Sequence, residues 1–111
     1  MTPALTTTPR QRRPGADEVL RVLSEPLRWR IVELLAHEQL CVCHLVDELA
    51  EAQPLVSHHL RVLREAGLLT YERHRYWTYY RLRPEALRSV ASALTALARP
   101  ERRTSRRRPC D

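Results

Sequence analysis

Apolar residues recur at helical spacing along most of the chain and switch to alternation once. Val19, Leu20, Val22 and Leu23 give residues 16–24 a broad apolar face. Ser24 is placed to cap a second helix, with Pro26 in its first turn, where a missing N–H costs nothing. That helix carries Leu27, Ile31, Leu34 and Leu35 on one stripe and runs to about His37. A shorter helix over residues 42–50 turns Leu45, Val46 and Leu49 inward. Glu51, Ala52 and Gln53 form a tight connection, and Pro54 opens a fourth helix with Val56, Leu60 and Leu63 aligned. Ala66-Gly67 ends it, glycine suiting the left-handed position after a helix. From Leu68 the period becomes two. Residues 68–73 and 76–82, rich in Leu, Thr, Tyr and Trp and separated by His74-Arg75, predict a β-hairpin. Pro84 starts a last helix whose Leu87, Val90, Ala91, Leu94, Leu97 and Ala98 form a long apolar stripe. The order predicts a mainly α fold with a β-hairpin wing, the winged helix–turn–helix.

The 111 residues give room for one domain. We expect a folding unit over 16–99, a disordered Arg/Pro-rich arm over 1–15 and a flexible Arg-rich tail over 100–111 that carries Cys110. A unit so small buries only about 60–65% of its unfolded surface, so dimerisation through the first and last helices is a natural way to finish the core. No apolar stretch approaches the ~20 residues that span a bilayer, and the N-terminus has no apolar core of a signal peptide. The expectation is a cytoplasmic protein with no membrane partner, in which cysteines serve as thiols and not as a disulfide framework. With two glycines, no phosphate loop and no nucleophile–base–acid set, no enzyme and no organic cofactor are expected.

Charge sharpens the picture by its placement. Residues 17–51 hold eight acids against three arginines, a balance of −5, and residues 52–99 hold eight arginines against three acids, a balance of +5. One half of the domain is built to meet a polyanion. On the fourth helix, Val56, His59, Leu60 and Leu63 share one side, His59 reading as a buried, hydrogen-bonded residue. Ser57, His58, Arg61 and Glu65 lie on the other side. Arg61 suits a bidentate contact to guanine, while Ser57 and His58 suit bases or phosphates. Gln53, at the helix start, can read adenine or bind phosphate. Arg73 and Arg75 at the wing tip suit phosphates or the minor groove. Trp77 and Tyr79 are expected to pack and not to stack on bases.

Four segments, in order, resemble one family. Leu23-Ser-Glu-Pro-Leu-Arg-Trp-Arg-Ile-Val32 is similar to an "L-x-D-P-x-R-x-x-I-L" start of the second helix. Gln39-Leu-Cys-Val-Cys-His-Leu45 resembles an "E-L-C-V-C-D-L" metal box. Val56-Ser-His-His-Leu-Arg-Val-Leu-Arg-Glu-Ala-Gly-Leu-Leu69 is similar to an "S-x-H-L-x-x-L-x-x-A-G-L" recognition helix, and Tyr79-Tyr-Arg-Leu82 to the end of a wing. These are the marks of the ArsR/SmtB family of metal-sensing winged-helix repressors, of the arsenic-repressor type. The resemblance covers about residues 17–98. It implies a homodimer on double-stranded operator DNA with an inverted repeat, controlling a metalloid-resistance operon and released when arsenite or antimonite binds Cys41 and Cys43. Two departures stand out: His44 replaces the acid after the second cysteine, and the wing turn lacks a glycine.

Cys41 and Cys43 carry the chemistry. Residues i and i+2 lie about 200° apart on an α-helix but point the same way in extended backbone. The pair sits where a connection meets the third helix, so an ion joining both sulfurs is expected to require, or enforce, non-helical backbone there, and ligation to unwind the first turn of that helix. The helix N-terminus favours thiolate, the metal-binding form. Two sulfurs rarely suffice, and Cys110, His44 or an external thiol can supply the third ligand. Residues 85–98 contain no His or Asp and only Glu85, so a second metal site between the last helices is not expected. Alternatives are a cadmium, lead or zinc sensor using Cys110 or His44, a thiol redox sensor pairing Cys110 with Cys41 or Cys43, and a non-specific DNA-binding protein.

Overall fold

The structure is a computed structural model that describes residues 15–99 and 107–110. The arm expected over 1–15 and the tail over 100–111 thus lie, but for Gly15 and residues 107–110, outside the described residues. Among the described residues, five helices and three strands follow one another: α1 (Ala16–Leu23), α2 (Pro26–Leu35), β1 (Leu40–Cys41), α3 (Val42–Leu49), α4 (Gln53–Glu65), β2 (Leu69–His74), β3 (Trp77–Leu82) and α5 (Pro84–Ala98). This is the winged helix–turn–helix that the hydrophobic pattern predicts. The helical stripes converge on one core in which Val19, Ile31, Leu45, Val56, Leu60, Leu63 and Leu68 are almost wholly buried. Among the described residues no helix is long and apolar enough to cross a membrane.

Three local details differ from the sequence reading. Glu25, not Ser24, caps α2: its Oε1 accepts from the N–H groups of Leu27 (2.8 Å) and Arg28 (3.0 Å), while the Ser24 hydroxyl donates back to the Arg21 carbonyl. A carboxylate takes both donors and also suits the positive end of the helix dipole. The hairpin turn sits one residue later than expected. His74 pairs with Trp77, leaving Arg75 and Tyr76 as the loop, and Arg75 takes φ 60°, the left-handed conformation that usually calls for glycine. Finally, Leu40–Cys41 forms a strand. It pairs antiparallel with β3, Leu40 opposite Tyr80 and Cys41 opposite Tyr79, giving a three-stranded sheet in the order β1-β3-β2. The Arg83 N–H donates to the Leu68 carbonyl at 2.8 Å and closes the base of the wing.

The link between α3 and α4 is the three residues 50–52, with Ala50 in the left-handed region at φ 55°. Position 67 is the expected glycine, at φ 84°. α4 is held from behind by a polar clasp. Arg28 donates through Nε to the Val22 carbonyl (2.7 Å) and places Nη1 3.2 Å from His59 Nδ1, tying the end of α1 to the middle of α4. His59 is 6% exposed, as its place on the apolar side of α4 predicts. Guanidinium has no acceptor, so this contact requires an unprotonated Nδ1. The opposite ring nitrogen then faces Glu25 Oε1 at 3.9 Å.

Burial pushes the His59 imidazole below its ordinary 6.5, and the Glu25 carboxylate opposite recovers only part of that shift. The backbone N–H of Arg28 holds the Glu25 carboxyl below its ordinary 4.5. In both cases the unfolded chain binds the proton first, so stability rises with pH. The contribution of His59 is complete above about pH 6.5 and is lost as pH falls toward the folded value; that of Glu25 is lost only at lower pH, below about 4.5. Urea midpoints measured against pH are therefore expected to fall below pH 6.5 in the wild type and to lose that step in His59→Gln. An unchanged pH profile in the variant would refute the assignment.

Candidate metal-responsive DNA-binding site

Cys41 ends β1 and is the N-cap of α3, with extended backbone at φ −90°, ψ 171°. Cys43 is the second residue of the helix, and the two Cα atoms lie 5.4 Å apart. Extended geometry at the first position turns its side chain back over the helix start, and the two sulfurs are joined as a disulfide. The non-helical backbone expected where the two sulfurs meet is found at Cys41. Because one member of the pair is a cap and not a helical residue, both sulfurs meet while α3 stays intact from Val42 onward.

His44, at the third helical position, completes the group. Its Nδ1 accepts from the Cys41 N–H at 3.2 Å and lies 3.3 Å from Cys41 Sγ. It thereby satisfies one of the donors that a helix start leaves open. The ligand atoms of Cys41, Cys43 and His44 all lie within 4.8 Å of one another, Cys41 buried and the other two exposed. Two soft sulfurs and an imidazole are a donor set suited to thiophilic or borderline ions once the sulfurs are thiolates. Cys110 is a free, exposed cysteine and is not part of this group among the described residues. The disulfide joins Cys41 to Cys43 and leaves Cys110 a free thiol. The replacement of the family's acid by His44 is the signal in the sequence that carries most here.

The DNA-facing candidates separate cleanly from the core. Gln53, Ser57, His58 and Arg61 are all exposed along α4, while Val56, His59, Leu60 and Leu63 of the same helix are buried. Gln53 is the first residue of that helix, with Ala52 as N-cap and no side-chain cap; Pro54 has no N–H, and those of Leu55 and Val56 donate to the Ala52 carbonyl. Arg73 and Arg75 are exposed on the wing. Arg64 sits over the Tyr71 ring at 5.1 Å, joining α4 to β2, and Tyr71 lies 5.8 Å from Tyr80. Of the two aromatics expected to pack, Tyr79 is partly buried, but Trp77 is 53% exposed and Tyr76 at the turn is 92% exposed.

With this geometry in place, comparison with known proteins is informative. The family profile described as "Bacterial regulatory protein, arsR family" matches residues 25–71, from the α2 cap to the first wing strand. An uncharacterized HTH-type transcriptional regulator of Methanocaldococcus jannaschii is 31% identical over 83 residues, 74% of this chain and 93% of that protein. The arsenic resistance transcriptional regulator ArsR1 of Pseudomonas putida is 44% identical over 77 residues, 68% of this chain but only 60% of the relative's length. The crystal structure of a possible transcriptional regulator for arsenical resistance superposes with a TM-score of 0.66 at 35% identity, over 74% of this chain and 85% of that one. The profile match runs from the α2 cap across the cysteine pair and α4 into the first wing strand, and the chain belongs to the ArsR family of bacterial regulatory proteins.

Proposed function

We propose that the protein is a homodimeric repressor in the cytoplasm that binds an inverted repeat in double-stranded DNA and is released when a thiophilic metal or metalloid is held by Cys41 and Cys43. The observation that carries this reading is the convergence of the two sulfurs at the start of α3, one helix before the exposed polar face of α4. It is a binding protein and not a catalyst. α4 would enter the major groove, with Arg61 and Gln53 reading bases and Ser57 and His58 completing the contact; Arg73 and Arg75 would meet the backbone or minor groove. Leu20, Leu94 and Leu97 leave an exposed apolar strip on the packed pair α1 and α5, which supports dimerisation there.

Arsenite or antimonite fits two thiolates plus a third from Cys110 or an external thiol, and relatives whose names include arsenic resistance favour that inducer. A specific observation favours a second reading, a cadmium-, lead- or zinc-type ion, because His44 already stands in the cluster as a nitrogen donor. Either ligand must prefer the DNA-free form by roughly 5 kcal/mol to empty a mostly occupied operator.

On DNA fragments selected from a random-sequence pool, Arg61→Ala should weaken binding by about 1–3 kcal/mol and relax base preference. Unaltered affinity and preference would mean that α4 does not read the DNA. Leu94→Glu should yield monomers or aggregates in sedimentation, since a charge would be buried without a partner at the interface. A well-folded dimer would move the interface elsewhere. Under reducing conditions, Cys41→Ser and Cys43→Ser should each bind DNA near wild-type strength but no longer release it on addition of arsenite or cadmium. Cys110→Ser should blunt the arsenite response if Cys110 is the third sulfur, and His44→Ala should blunt the cadmium response alone. If the doubly substituted Cys41→Ser, Cys43→Ser protein still releases DNA, the cysteine pair is not the sensor.

A further inference from the structure

Cys41 belongs to three parts of the molecule at once. Its side chain is in the sulfur–imidazole cluster, its backbone caps α3, and as the last residue of β1 it stands in register with Tyr79 of β3. Tyr79 has a second tie to the same cluster, since its ring lies 6.4 Å from the His44 ring at an interplanar angle of 40°. It is partly buried, whereas Trp77 nearer the turn is 53% exposed. One residue of the wing thus lies against two of the three cluster residues, by strand register on one side and by ring contact on the other. The strand that carries it runs back to the turn holding Arg75.

We propose that Tyr79 is a positioning residue that transmits ligand occupancy at Cys41, Cys43 and His44 to the wing. This rests on the ligand-site reading above and adds the route by which it reaches DNA. The structure suggests how little has to change. In the described form, His44 Nδ1 accepts the Cys41 N–H. A lone pair that serves as ligand no longer serves as cap, so recruitment of Nδ1 frees that N–H and turns the imidazole against Tyr79. Recruitment of the sulfurs alone displaces the Cys41 side chain, directly across from Tyr79 at the close spacing of cross-strand neighbours. The β1–β3 pairing is two residues long, so a small bias is enough to shift it. The other route to DNA, through α3 packing on α4, passes through the fully buried Leu45 and the buried Val56 and Leu60, a close-packed contact that yields less readily.

The test uses the full chain under reducing conditions, with Cd(II) and arsenite as probes and the selected inverted-repeat DNA. DNA affinity is measured with and without each probe, and Cd(II) affinity by competition with a chelator. In Tyr79→Leu, the separate affinities for DNA and for Cd(II) should stay within about threefold of wild type, while the loss of DNA affinity on adding Cd(II) should shrink at least about tenfold. Tyr79→Phe, which keeps the ring, should respond as wild type does. A fully responsive Tyr79→Leu overturns the coupling while leaving the ligand site standing; a wild type that binds neither probe removes the ligand site and the coupling with it. Should Tyr79→Leu melt early, hydrogen exchange in the wild type decides. Cd(II) is expected to alter exchange at residues 77–82 as well as 41–44, and an unchanged β3 in a protein that releases DNA overturns the proposal.

Discussion

The geometry of the sulfur–imidazole cluster depends on the backbone of one residue. At ψ 171° Cys41 can be the end of a strand, and as N-cap it can begin a helix. No residue inside α3 could do both. Extended backbone supplies the pairing with Tyr79 and lets the sulfur swing over the helix start toward Cys43. The cap position leaves the N–H free for His44 Nδ1. Cysteine is not among the favoured N-cap residues, so the cap is weaker than Ser, Thr, Asp or Asn would make it. His44 compensates by accepting the Cys41 N–H, and a side chain that also suits metal ligation is a cap that a ligand can take away.

The recognition helix, by contrast, is held in a way that resists change. α4 buries Val56, Leu60 and Leu63 and fastens its fourth inward residue, His59, to Arg28. Arg28 is itself pinned at Nε by the Val22 carbonyl, and its N–H caps back to Glu25. The "E-P-x-R" start of α2 and the second histidine of "S-H-H-L" are therefore one structural unit. His59 serves packing, and only His58 is left at the surface for DNA. On the proposed reading, a firmly held α4 beside a two-residue pairing of β1 with β3 is the division of labour that release needs, since affinity demands order in one part and release demands an alternative in another.

The fold was legible because its helices are amphipathic enough to show their period. Val19, Ile31, Leu60 and Leu63 were placed in the core by spacing alone and are buried, and His59 was separated from His58 by the same logic. What escaped was short or non-periodic. A two-residue strand at Leu40–Cys41 cannot show alternation, and with it went the extended cap geometry that lets the two sulfurs meet while the helix stays whole from Val42 onward. The turn register slipped by one residue because nothing in His74-Arg75-Tyr76 is a glycine; Arg75 takes the left-handed conformation against its preference. Glu25 outcompeted Ser24 as a cap by reaching two N–H groups at once, a tertiary detail that propensity does not encode.

The charge pattern gives the last constraint. The acidic half, residues 17–51, contains the cluster, and the basic half, residues 52–99, contains α4 and the wing. Thiolates at Cys41 and Cys43 would add negative charge on the acidic side, while phosphates would gather on the basic side. Screening over a Debye length of about 8 Å at physiological salt keeps the two fields from simply adding. Direct repulsion between site and DNA is therefore a weak means of communication, and a cation held at the cluster would even favour DNA electrostatically. On the proposed reading, release would instead be mechanical, carried by backbone and packing that lead from the cluster toward α4 and the wing. In that proposal the two-residue pairing of β1 with β3, rather than the net charge of the site, would stand at the centre of the switch.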